Sequence, residues 1–300
     1  MVRVTAISNT WLIRGPARLP WAWLSRVGVY ARHKPLGSFG AGVLLLMFAL
    51  AVAAPLIAPY DPYAWSIGEQ WGLPSLQHLM GTDQYGRDVL SRLLMGARVS
   101  LSIAFGATIV GTLIGALIGL VSGYVRGMVD MVVQRLIDVL MSFPTLVLAL
   151  AVVAALGPTI TGVVVALTIP MVPRAARVVR ASAMATREQP FVEAAEAIGC
   201  SGWRIVRSHI LPSALAPYIV VASAQVGWAI VVEASLGFLG LGVQPLTPSW
   251  GQMLDRATEA FLLNPWSAIF PGLAIAVTVF ALNLSGDALR DILDPRLKGR

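Results

Sequence analysis

The chain has 300 residues, of which 57% are hydrophobic and only 12% charged, with a mean hydropathy of +0.75. A water-soluble domain carries about 25% charged residues, so this composition excludes a soluble globule and makes lipid the solvent. The net charge of +7 fits basic loops gathered on one side of a membrane better than a nucleic-acid surface, and the single cysteine, Cys200, excludes an internal disulfide.

Residues 1–36 mix Arg3, Arg14, Arg18, Arg26, Arg32 and Lys34 with Trp11, Trp21, Trp23 and Tyr30. Cations beside indoles suit the surface of an anionic bilayer. The first apolar run, residues 37–58, is long enough to cross a membrane. Ala51-Val52-Ala53 resembles a leader-cleavage site. However, about 36 residues precede the run where a secretory signal has a short basic stretch, so it is read as a retained first span. A polar extracytoplasmic loop, 59–98, follows.

The core, 99–289, carries spans near 100–122, 132–156, 159–174, 214–236 and 268–289. The expected fold is therefore an all-α polytopic protein with six transmembrane helices. A polar insert, 175–212, separates the fourth and fifth spans, a Gly- and Pro-rich outer loop covers 237–266, and a basic tail, 290–300, ends the chain. With six spans and the N-terminus inside, 18 basic residues fall on the inner side and 4 on the outer. That asymmetry puts both termini, the insert and Cys200 in the cytoplasm.

Within the second span, Gly111, Gly115, Gly119 and Gly123 recur every fourth residue and share one helix face. A face without side chains lets another helix approach closely and gain packing that lipid does not supply. Three ionisable residues fall in apolar runs. Arg135 and Asp138 are three apart on one helix face and are expected to pair with each other. Glu233, near the outer end of the fifth span, suits a structural or gate-supporting role. Pro144, Pro170 and Pro173 are expected to kink their helices.

Catalytic chemistry finds no support. Lys34 and Lys298 are the only lysines and neither follows a glycine, so there is no phosphate-binding P-loop. His33, His78 and His209 lie in different segments, which argues against a His/Cys metal site. An ion-coupled secondary transporter would need ionisable groups at mid-membrane depth and often has inverted repeats. Here the charges cluster at span ends.

The insert carries the most information. Pro190 opens a helix-favouring stretch, and Gly199 and Gly202 mark a turn between two short helices, forming a rigid knob. Glu193-Ala194-Ala195, Gly199 and Leu211-Pro212 have the spacing EAA-x3-G-x11-LP. This pattern resembles the EAA loop of membrane subunits of binding-protein-dependent ABC importers. The resemblance extends over about residues 78–296: Gly81 to Arg92 is similar to the GTD-x2-GRD-x2-SR segment of the dipeptide/oligopeptide/nickel branch, and Glu233 to Gly242 with Pro248 to Gly251 is similar to its outer-loop signature. Ser213 and Gly237 depart from that pattern, where Asn and Ser are common.

The resemblance implies a type I ABC importer transmembrane domain and an EAA loop that couples to ATPases through Glu193, Ala194, Ala195, Gly199, Leu211 and Pro212. It implies a homologous second permease subunit, two cytoplasmic ATPase subunits that bind ATP and Mg, and an extracytoplasmic substrate-binding protein. No cofactor is expected in this chain. Di- or oligopeptides are the expected cargo, with nickel or another small solute as the alternative.

Overall fold

The computed structural model describes residues 34–244, 246–259 and 261–293, and among these all regular structure is helical, apart from one isolated β-bridge between Thr82 and Asp88. Helix α1 is Pro35–Ile57, with proline at its start, where a missing N–H costs nothing. Helix α2, Val89–Val125, begins at Asp88, whose carboxylate accepts the Ser91 N–H at 2.8 Å. Five stretches are long and apolar enough to cross a membrane: Pro35–Ile57, Val89–Val125, Ile160–Arg187, Gly202–Phe238 and Trp266–Leu293.

The expected third span is not one rod. Helix α3, Gly127–Ser142, and helix α4, Thr145–Leu156, meet at a 91° bend. Pro144 is the cause: the residue before a proline is driven out of the helical region, and Phe143 is extended at φ −85, ψ 137.

The fourth span is longer than the expected 159–174. Helix α5, Ile160–Arg187, continues through Pro170 and Pro173 to the end of what looked like insert. At 28 residues it runs to roughly 42 Å, and α2 at 37 residues to roughly 56 Å. Both exceed a hydrocarbon core of about 30 Å, so each is longer than one upright crossing requires.

The insert itself is compact. Helix α6, Pro190–Ala197, is followed by a turn and then by α7, Gly202–Ile205. The second short helix is not separate as expected. It passes through a π-turn, Val206–Ile210, directly into α8, Leu211–Phe238. Pro212 gives the reason: its ring has no N–H and would strike the carbonyl four residues back. Widening the preceding turn, with the Leu211 N–H reaching Val206 O, makes room. Helix α9, Trp250–Thr258, lies within the outer loop, and α10, Trp266–Leu293, closes the bundle.

Helices α2 and α5 form the most extensive pair, α8 packs on both and on α10, and α1 leans on α10 and α2. Their shared core includes Leu101, Ile103, Leu167, Met171, Ile230 and Leu236. Large apolar side chains elsewhere on these helices, such as Leu45, Val52, Leu117 and Val121, are exposed, the arrangement expected when the surroundings are hydrocarbon.

At the N-terminal end of α2, residues 58–88 form an irregular cap. Gly81 at φ +77 and Gly86 at φ +66 sit where a Cβ is disfavoured. Asp83 accepts the N–H groups of Tyr85 and Arg87 at 2.9 and 3.0 Å, an Asx-type turn. The buried His78 Nδ1 and Asp88 Oδ1 are 3.0 Å apart. Asn264, from the segment before α10, donates to Gly72 O at 2.9 Å and ties the cap to the far end of the chain.

Candidate functional site

At the opposite end of α2 and α5, the α6 knob sits on the last turns of the two long helices. Val192 and Ala195 point inward on α6 and join Ala183, Ile205 and Ile210 in a small core of their own, with Leu120, Tyr124, Cys200 and Val206 around it. Glu193 and Ala194 face outward, so the EAA triplet is split between the two faces by helical spacing. The helix closes on Gly199 at φ +81: the Cys200 N–H reaches Ala195 O at 3.0 Å and the Gly199 N–H reaches Glu196 O at 2.9 Å. These paired bonds form a Schellman cap, which calls for a residue at ease with positive φ.

Tyr124 of α2 is held from both sides of the knob. Arg187, the last residue of α5, donates to Tyr124 O and lies over the Tyr124 ring at 5.2 Å. Gly202 lies so close to the Tyr124 hydroxyl that an added Cβ would be 2.6 Å from it. The outward side of the knob is apolar where a water-facing surface need not be: Phe191 is 50%, Trp203 74% and Ile198 81% exposed, set among Glu193, Glu196, Arg204 and Arg207. Leu211 and Pro212 are exposed at the root of α8, beyond the π-turn.

The support beneath the knob is the α2–α5 seam. Each glycine of the four-residue stripe faces α5: an added Cβ would meet Met171 Cβ at 2.9 Å from Gly111, Val172 O at 2.5 Å from Gly115, the Ala176 carbonyl from Gly119, and Arg180 O at 2.8 Å from Gly123. Gly106, off that register, has nothing within 4 Å. Backbones this close transmit displacement as one body.

Ion pairs then lash α3 to α5. Asp130 receives Arg180 Nε and Nη2, both at 2.6 Å, and Arg126 reaches Glu188 at 3.0 Å. The expected Arg135–Asp138 pair does not form: Asp138 binds Arg177 of α5 at 2.6 Å, and Arg135 is exposed and makes no ion pair among the described residues. A neighbouring helix presents a guanidinium head-on, whereas an i, i+3 pair on one surface brings only a few tenths of a kcal/mol.

Glu233 is 1% exposed, sealed inside the bundle. The Ser100 and Ser249 hydroxyls face its carboxylate, although neither oxygen has a partner at full hydrogen-bond geometry. Ser249 caps α9 and the Trp250 N–H bonds Ser100 Oγ at 3.2 Å. Glu233 therefore sits under the seat of α9, not in an open passage.

The comparisons with known proteins agree with this architecture. Residues 111–299 match the family described as binding-protein-dependent transport system inner membrane component, and residues 29–77 match the N-terminal TM domain of oligopeptide transport permease C. The chain belongs to the binding-protein-dependent transport system inner membrane component family. It is the permease component of an ABC importer.

The permease is 42% identical over 283 residues to the glutathione transport system permease protein GsiD of Shigella dysenteriae, covering 94% of this chain and 92% of that one. It is 43% identical over 269 residues to a protein of Brucella abortus provisionally named a peptide transport system permease, covering 89% and 90%. Its fold is similar to a solved structure of the MetNI methionine ABC transporter in an inward-facing conformation, with a TM-score of 0.57 at 20% identity, covering 68% of this chain and 96% of the other.

Proposed function

We propose that this permease forms half of a translocation pore for short peptides and that the α6 knob is the handle by which cytoplasmic ATPase subunits move it. The peptide class is supported by relatives named for glutathione and peptide transport. The handle is supported chiefly by one observation: the outward face of the knob exposes Phe191, Ile198 and Trp203 while its inner face is sealed on a separate small core. An apolar patch rimmed by charge is the composition of a protein contact.

The other half of the pore is a homologous second permease subunit. Two ATPase subunits bind ATP and its Mg, and a substrate-binding protein delivers cargo from the extracytoplasmic side. The excess of basic residues in the segments assigned to the inner side supports a cytoplasmic knob and cytoplasmic termini. ATP binding draws the ATPases together, the knobs follow, and the α2–α5 seam passes the movement to the pore as alternating access. The work comes from the different ATP affinities of the two conformations, so no bond is made or broken in this chain.

The decisive experiment reconstitutes the complex with Gly199→Asp. The substitution puts a charged side chain on the exposed surface of the knob, where this chain leaves open space and a docked ATPase would meet it. Insertion should be normal, while ATPase co-purification and ATP hydrolysis stimulated by the loaded binding protein should collapse. Full stimulation would remove the knob as the coupling element.

A further inference from the structure

A small cavity at the cap end of α2 has no part in coupling. Its volume is about 40 Å³, room for a few waters or one carboxylate group but not a whole peptide. Its polar lining includes Asp83, Gln84, Arg87, Arg92, Gln252 and Arg256. Arg87 and Arg92 are each only 3% exposed. One carboxylate serves them both: Asp83 Oδ2 is 2.7 Å from Arg87 Nε and 3.4 Å from Arg92 Nε. The other oxygen of Asp83 is occupied by the backbone of its own turn.

Arg92 Nη1 donates to Pro62 O at 3.0 Å. Both terminal nitrogens of Arg87 and Nη2 of Arg92 make no hydrogen bond within the described residues and, unlike the Gln84 and Gln252 oxygens, keep some contact with solvent. Arg87 also lies over the Tyr85 ring at 4.5 Å. Arg256, by contrast, is matched by Asp255 at 3.6 Å and Glu259 at 3.2 Å. Two buried cations thus share one anion. In the same wall, the side-chain oxygens of Gln84 and Gln252 are buried with no donor, and Gln252 is 7% exposed.

Two nearly buried cations against one carboxylate leave an excess positive charge that favours a further anion, and a guanidinium fork matches the two oxygens of a carboxylate. An unpaired amide oxygen alongside asks for an N–H. A carboxylate with an N–H beside it is the make-up of the end of a peptide chain. We propose that this cavity receives the C-terminal carboxylate of a short peptide: Arg87 and Arg92 donate to the carboxylate, and the Gln252 oxygen accepts the N–H of the last peptide bond. Only that terminus enters, and the rest of the peptide lies outside. The proposal rests on the importer reading for the origin of the ligand, but its test measures binding rather than uptake, so either can fail alone.

The experiment is thermal unfolding of the full chain in lipid nanodiscs, titrated at matched ionic strength with glycylglycine, glycylglycinamide, acetate or sodium chloride alone. Glycylglycine should raise Tm saturably. Glycylglycinamide, lacking the carboxylate, should bind at least about tenfold more weakly, the worth of a lost charge-assisted hydrogen bond. Acetate, lacking the N–H, should fall between them. Arg87→Gln should abolish the glycylglycine shift, and Gln252→Leu should reduce its affinity several-fold while leaving acetate unchanged. If Arg87→Gln does not fold, Gln252→Leu and the probe series on the unaltered chain still decide. No saturable shift, equal binding of glycylglycinamide, or unaltered glycylglycine affinity in Gln252→Leu would each overturn the proposal. Acetate binding as tightly as glycylglycine would reduce the site to one for a bare carboxylate and overturn the assignment to a peptide terminus.

Discussion

The two ends of the α2–α5 pair are built on opposite principles. The knob end is held by backbone proximity: glycines at every fourth residue bring two helices together, and a small apolar core seats α6 on top. The cap end has little regular structure and is held by buried polar groups, among them Arg87, Asp88, Arg92 and His78, with the partly buried Asp83. The first design makes a stiff lever. The second surrounds a small space with unspent hydrogen-bonding capacity. A part that transmits force needs rigid packing, whereas a part that meets a ligand needs polar groups whose partners are not all internal.

Substitutions can break that contrast at either end. Gly119→Leu should have the largest effect. The added side chain would strike the Ala176 backbone of α5, which has no rotamer to move aside, so the penalty should exceed the roughly 1–3 kcal/mol usual for overpacking. We expect no monodisperse folded protein on size-exclusion chromatography, while Gly106→Leu, facing open space, should behave like the parent. Equal tolerance at both positions would mean that the seam is not what holds the pair.

At the cap, Asp83→Asn removes the one carboxylate shared by two buried guanidinium groups. Loss of one partner from a buried ion pair costs about 3–5 kcal/mol, and chemical denaturation should report a loss in that range. A loss below about 1 kcal/mol would show that water already screens the cluster. Gly199→Ala is milder. Nothing lies within 4 Å of the new methyl group, but φ is +81, so the cost is backbone strain alone, about 1–2 kcal/mol, read as a small fall in Tm. Trp203→Ser should leave Tm unchanged, because the indole is 74% exposed, yet it should weaken ATPase co-purification. Undiminished co-purification would move the contact elsewhere on the knob.

Much of this was legible along the chain because lipid simplifies the code. Apolar runs of about twenty residues had to be helices, since the other spanning form, a closed β-barrel, uses strands of about ten residues that alternate apolar and polar, and the glycine register needed only a period close to that of a helix turn. The pairing of Asp138 was misread because spacing reports neighbours on the same helix, while Arg177 comes from a helix 39 positions away in sequence. The length of α5 was underestimated because Arg174, Arg177 and Arg180 interrupt the hydropathy. In the folded chain Arg177 and Arg180 pair with α3 and Arg174 lies over the Trp228 ring, all without breaking the helix. The exposure of Trp203 and Ile198 has no signature in one sequence, since an aromatic or aliphatic residue in a short helix is normally part of a core.

By itself, then, the amino-acid sequence determined the helical class, the glycine seam and the position of the knob, all properties that depend on near neighbours and on the solvent. Tertiary structure alone decided which charges meet, where the third segment turns through 91°, which side of α6 faces out, and that Arg87 and Arg92 must share Asp83. Those outcomes depend on residues far apart in the chain arriving at one place, and only packing in three dimensions specifies that.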